Sequence, residues 1–120
     1  MTSQIEKIAR LMGHEVESVT EQGVWLIEHD KPLNRDNEHP IRLFNPLTNK
    51  SDLMDVECAL GIDVIWNESG EYVHAVKRTS HLEYIADKYE DFITNNNDKF
   101  TARSNAVCAV AEIIYDKGQA

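Results

Sequence analysis

From Thr101 to Tyr115 the residues Ala106, Val107, Val110, Ala111, Ile113 and Ile114 recur at helical spacing and make an apolar face wide enough to be mostly buried. Such a helix needs a sheet, other helices or a second copy of the chain laid over it, so a homo-oligomer is one way of covering it. At 120 residues the chain suits a single domain spanning residues 1–120, able to bury roughly two-thirds of its unfolded surface.

The preceding segments supply candidate partners. Ser3 and Glu6 form a capping box, and Ile5, Ile8, Ala9 and Met12 follow at helical spacing as far as Gly13. From Val16 to His29, VESV and VWLIE flank EQG, where Gly23 can take a positive φ; a hairpin, or one long strand with a bulge, satisfies the pattern. Lys31 to Pro40 has two prolines and no apolar periodicity, which predicts a surface loop, and IRLF at Ile41 to Phe44 reads as a short strand. Pro46 then biases Asn45 away from the helical region, Thr48 or Asn49 can cap a helix, and Asp52 favours its positive end. Leu53, Val56, Ala59 and Leu60 form one side of that helix, and Gly61 closes it.

IDVIW from Ile62 and EYVHAVKR from Glu71 are joined by NESG, which predicts a hairpin. Ser80 with Glu83 repeats the capping box, and Leu82, Ile85, Ala86, Tyr89, Phe92 and Ile93 keep the i, i+3, i+4, i+7 spacing of a third helix that ends in Asn95 to Asn97. Glu83, Asp87, Glu90 and Asp91 fall together on its opposite face. With helices before, within and after the strands, the expected class is α+β, with a mainly antiparallel sheet of about four to five strands covered by about four helices.

The chemistry is bounded mainly by what is missing. His14, His29, His39, His74 and His81 stand in no HExxH, HxH or Cys-His spacing, and there is no GxGxxG, P-loop or GxSxG. No catalytic residue, cofactor or metal ligand is therefore expected, and the chain is not expected to be an enzyme. Cys58 and Cys108 both read as small buried hydrophobes inside helices, which suits a reduced cytoplasmic setting. MTSQIEKIAR lacks the apolar core of a signal peptide and no apolar run approaches the ~20 residues that span a bilayer, so no membrane association is expected. The net charge of −9, from 21 acidic against 12 basic residues, argues against direct binding of nucleic acid and fits a partner with a basic surface.

Phe44-Asn45-Pro46-Leu47-Thr48-Asn49, with Asp52 and Leu60-Gly61-Ile62 beyond, resembles the aromatic-Ser-Pro-Ser-Thr-Asp signature of the small phage proteins grouped as the phage ABA sandwich domain family. Ala106-Val107-Cys108-Ala109-Val110-Ala111 is similar to that family's closing helix, and the short helix before Gly13 with a Trp25-bearing segment after it also fits. The resemblance implies an α/β/α sandwich encoded by a phage or prophage, with no general catalytic activity.

Together with the acidity, these features lead to the expectation of an accessory protein that binds a host macromolecule without catalysis, for example to inhibit a defence system such as a CRISPR-Cas effector. Its candidate contacts are Lys31, Arg35 and Arg42 around the polar loop, and Glu83, Asp87, Glu90 and Asp91. Thr48, Asn49 and Asp52 form a candidate anion or cap site. A second expectation is a pocket for a nucleotide-type small molecule walled by Trp25, Trp66 or Tyr72, and a third is a hydrolase assembled from polar groups that converge only in space.

Overall fold

The computed structural model describes residues 3–78 and 84–119. They form α1 (Gln4–Leu11), β1 (Glu15–Thr20), β2 (Gly23–Ile27), β3 (Ile41–Phe44), α2 (Lys50–Leu60), β4 (Asp63–Asn67), β5 (Tyr72–Arg78), β6 (Tyr84–Asp91) and α3 (Lys99–Gln119). The fold is α+β with antiparallel pairing throughout. The strands divide into two sheets of three, β1-β2-β3 and β4-β5-β6, in place of the expected single sheet of four or five. Three helices, not four, are present among the described residues.

Local chemistry explains most of the boundaries. Ser3 caps α1 by accepting from the Glu6 N–H, and Asn49, not Thr48, caps α2 by accepting from the Asp52 N–H at 3.0 Å. Gly61 ends α2 at φ 64°, ψ 42°, a left-handed conformation that costs a residue without Cβ little. Of the two possibilities for residues 16–29, the chain adopts a hairpin whose first strand carries a bulge between Val16 and Ser18. At its turn Gly23 has φ 139°, and a Cβ there would lie 2.6 Å from the Phe44 carbonyl oxygen, so only glycine lets β3 close against the hairpin.

The expected third helix is a strand. Residues 84–91 pair with β5 from Arg78↔Tyr84 to Tyr72↔Asp91. Without β6, the fully buried run Val73, Ala75, Val76 would belong to an edge strand with unpaired backbone groups on that side; pairing satisfies them, and this outweighs a helical spacing of apolar residues. The apolar stripe was also only partly a stripe: Tyr89 and Ile93 are exposed, and Phe92 is buried in the turn beyond the strand. Asn96 and Asn97 make that turn with φ near 58° and 57°, a region that asparagine tolerates better than most residues. The second capping box, Ser80 with Glu83, and Leu82 lie outside the described residues.

The wide face of α3 is covered within the chain. Ala102, Ala106, Val107, Val110 and Ala111 are fully buried, α3 packs on β5 and β6, and α1 bridges from α3 to β1 and β2. Val24, Leu26 and Phe44 of the first sheet and Val73, Ala75 and Ala86 of the second belong to one contiguous core with Ile5, Ile8 and the α3 residues. Lys7 ties the α1 end to α3 through Glu112 and Asp116 at 3.1 and 3.0 Å. The molecule is elongated, 54 × 31 × 27 Å, with a radius of gyration of 15.6 Å; a compact chain of this length has about 13.6 Å.

Candidate partner-binding face

Successive side chains on a strand point to opposite faces. In the second sheet Val73, Ala75 and Ala86 face α3 and are buried in the core. The residues between them therefore point away from α3, and the pairing aligns them in rows: Asp63, Val76 and Asp87; Ile65, His74 and Tyr89; Asn67, Tyr72 and Asp91. Val76 and His74, at the middle of two of these rows, are buried, so what this side offers to water is three carboxylates with Ile65 and the tyrosine rings. Tyr89 is 55% exposed and Ile65 41% exposed, so large apolar groups stand in water at its centre.

The face is ordered by contacts among its own residues. The Tyr89 ring stacks on His74 with centroids 3.9 Å apart and planes within 5°, and Tyr72 meets Tyr89 edge-on at 5.4 Å. His74 Nε2 lies 3.0 Å from Asp87 Oδ2, and Tyr72 Oη accepts from Asn67 Nδ2 at 3.1 Å. Asp91 accepts from both the backbone N–H and the hydroxyl of Thr94, and these bonds hold its carboxyl below the usual range.

The structure sorts the residues expected to make contact. Asp87 and Asp91 share this outer face, whereas Glu90 alternates to the other side, where it accepts from Asn95 Nδ2 at 3.3 Å. Glu83 lies outside the described residues. Lys31 and Arg35 are exposed on the loop beside the first sheet, and Lys31 pairs with Glu28 at 3.4 Å. Arg42 is partly exposed but engaged: its Nε donates to Glu28 at 2.9 Å and its Nη1 to Asp52 at 3.0 Å. The other Asp52 oxygen accepts from the Asn45 N–H at 2.9 Å, so this carboxylate locks the strand-to-helix junction. Tyr72 is a candidate pocket wall in the sequence, but its alignment with Ile65, His74 and Tyr89 on one face depends on β6 being a strand, whereas a helical period places Tyr89 on a buried stripe. The signal that points to them is the spacing of two in Asp87, Tyr89 and Asp91.

A second concavity, of about 440 Å³, lies beside Arg42 and includes His14, Glu28, His29 and Asp55 in its lining. His14 sits 5.9 Å from the Phe44 ring; burial first, and then the Arg42 charge, push its imidazole below the usual histidine range, which keeps it neutral at neutral pH. His29 pairs with Glu15 at 3.3 Å and meets His39 edge-on at 4.4 Å. Here polar groups do converge, but Glu28 is already engaged by Arg42. Among the described residues no three His, Cys, Asp or Glu side chains are grouped as a metal ion would need, and no helix is long and apolar enough to cross a membrane. Comparisons with protein-family models, with curated proteins and with solved structures return no match to the chain.

Proposed function

We propose that the protein is a phage- or prophage-encoded accessory protein that binds a host protein or protein complex through the outer face of β4-β5-β6 and acts there without catalysis. The observation that carries this reading is an aromatic and aliphatic centre, Tyr89 with Ile65, standing exposed among Asp63, Asp87 and Asp91 on an ordered sheet face. Tyrosines supply much of the binding energy at protein interfaces. Carboxylates around them favour a basic partner, and a net charge of −9 steers such a partner from a distance. A basic surface that ordinarily receives nucleic acid has this chemistry, so inhibition of a host defence complex in the cytoplasm is the form of action that fits. The motif from Phe44 to Asp52, which resembles the signature of the phage α/β/α sandwich proteins, is what supports the phage setting.

The test compares the unmodified chain with Tyr89→Ala, Asp87→Lys and the control Arg10→Ala on α1 in pull-downs from host lysate at low and moderate salt. The unmodified chain and the control are expected to recover one stoichiometric partner. Tyr89→Ala should weaken binding about 30-fold, equivalent to roughly 2 kcal/mol, and Asp87→Lys should slow association most at low salt. Recovery of no partner at either salt, or recovery that ignores both substitutions, overturns the proposal.

A further inference from the structure

We propose that the chain carries a second, separate binding site, for a small ligand that joins one flat ring to one phosphoryl group, of the nucleoside monophosphate class. A hollow of about 260 Å³ is lined by three cations, Lys50, Lys99 and Arg103, together with Trp66, Phe100 and Met54. Leu53, almost fully buried, contributes to the lining from the core side. Among the described residues no carboxylate lines the hollow, although acidic residues outnumber basic ones 21 to 12 in the chain.

Each cation stands differently. Lys50 makes no ion pair among the described residues, and its ammonium lies 5.9 Å over the Phe100 ring. Lys99 reaches both oxygens of Glu68 at 3.0 Å and lies 5.8 Å over the Phe92 ring. That pair is more than half exposed on both sides, the kind a competing anion separates at little cost. Arg103 donates through Nε and Nη2 to Glu57, which fixes the guanidinium plane and leaves Nη1 without a hydrogen bond among the described residues. Asp98, whose carboxyl is held low mainly by Thr101, is within electrostatic reach of Lys50 and caps α3 through the Phe100 N–H.

Phe100 packs partly against the core, but the exposure of Trp66 and Met54 is not explained by it. Trp66 is 40% exposed and Met54 55% exposed, an indole and a thioether left in water beside an ammonium. An exposed ring of this kind is a stacking surface for a nucleobase, and neighbouring cations take the phosphoryl oxygens. The size selects the ligand: drug-sized pockets run from about 300 to 1,000 Å³, so this hollow suits one ring with one phosphoryl group. The overall negative charge acts in the same direction, because it opposes a polyanion far more than a mononucleotide. Trp66 pairs with Val73 on the α3 side of the sheet, so the hollow does not share the partner-binding face.

The test is calorimetric titration of the unmodified chain with adenosine and uridine monophosphates, with adenosine and inorganic phosphate as separate arms. Quenching of Trp66 in a Trp25→Phe background provides a second readout. A nucleoside monophosphate is expected to bind saturably, and adenosine and phosphate each at least about tenfold more weakly. Lys50→Ala should weaken binding about tenfold, Lys50→Arg should retain it within about threefold, and Trp66→Ala should abolish it. Tyr89→Ala should leave it unchanged, which separates this site from the partner-binding face. Absence of saturation at millimolar ligand, an affinity indifferent to Lys50→Ala, or tighter binding of a single-stranded oligonucleotide overturns the assignment.

Discussion

Cys58 and Cys108 carry the same side chain into opposite circumstances. Cys58 is exposed on α2, against the expectation that both are buried, whereas Cys108 is fully buried in α3 and its thiol is pushed up to about 12 by burial, with the Glu57 charge adding to it. A disulfide reagent applied to the native protein at pH 8 should therefore titrate one thiol quickly, and the second only after denaturant is added. Two fast thiols in the native protein would contradict this burial. Residues whose role is local were legible in the sequence: Ser3, Asn49 and Gly61 act within a turn of where they stand. Arg42 was not, because its partners Glu28 and Asp52 come from different elements, and a charged residue next to a polar loop reads as surface until they are placed beside it. Cys58 was misread because apolar neighbours in sequence say little about which side of a helix a residue occupies.

At the scale of elements, the first sheet depends on one backbone conformation. Gly23→Ala would put a Cβ 2.6 Å from the Phe44 carbonyl oxygen at a φ that side chains rarely adopt, and should cost about 2–3 kcal/mol. Urea unfolding monitored by circular dichroism measures it, and a loss below about 0.5 kcal/mol would show that β3 can move aside. Helices α1, α2 and α3 and strands β1 to β5 were legible as segments because each has a start, a period and a stop. Strand β6 was not: Ile85, Ala86, Tyr89, Phe92 and Ile93 match a helical period, yet only Ala86 and Phe92 among them are buried. The deciding influence, the unpaired edge of β5, belongs to another segment, and within residues 84–91 only the spacing of two in Asp87, Tyr89 and Asp91 points to a strand. The candidate face is lost with it, since a helical period puts Tyr89 on the apolar stripe, opposite Asp87 and Asp91.

For the molecule as a whole, the division into two sheets was hidden from the sequence, because alternation predicts strands and not which strands share a ladder. The helices nonetheless join the sheets into one core, in which Ile8, Leu26, Phe44, Val73 and Val107 belong to a single cluster. Unfolding should accordingly be one cooperative transition, with far-ultraviolet circular dichroism and tryptophan fluorescence tracing the same curve for Trp25 in the first sheet and Trp66 in the second. Two separated curves would show that the sheets fold independently. The alternation along β6 has a consequence for how such a protein changes over generations. Ala86 answers to the core beneath α3, whereas Asp87 and Asp91 answer to water. Mutations at every second position can therefore be absorbed by the exposed face, while Ala86 between them keeps its place in the core.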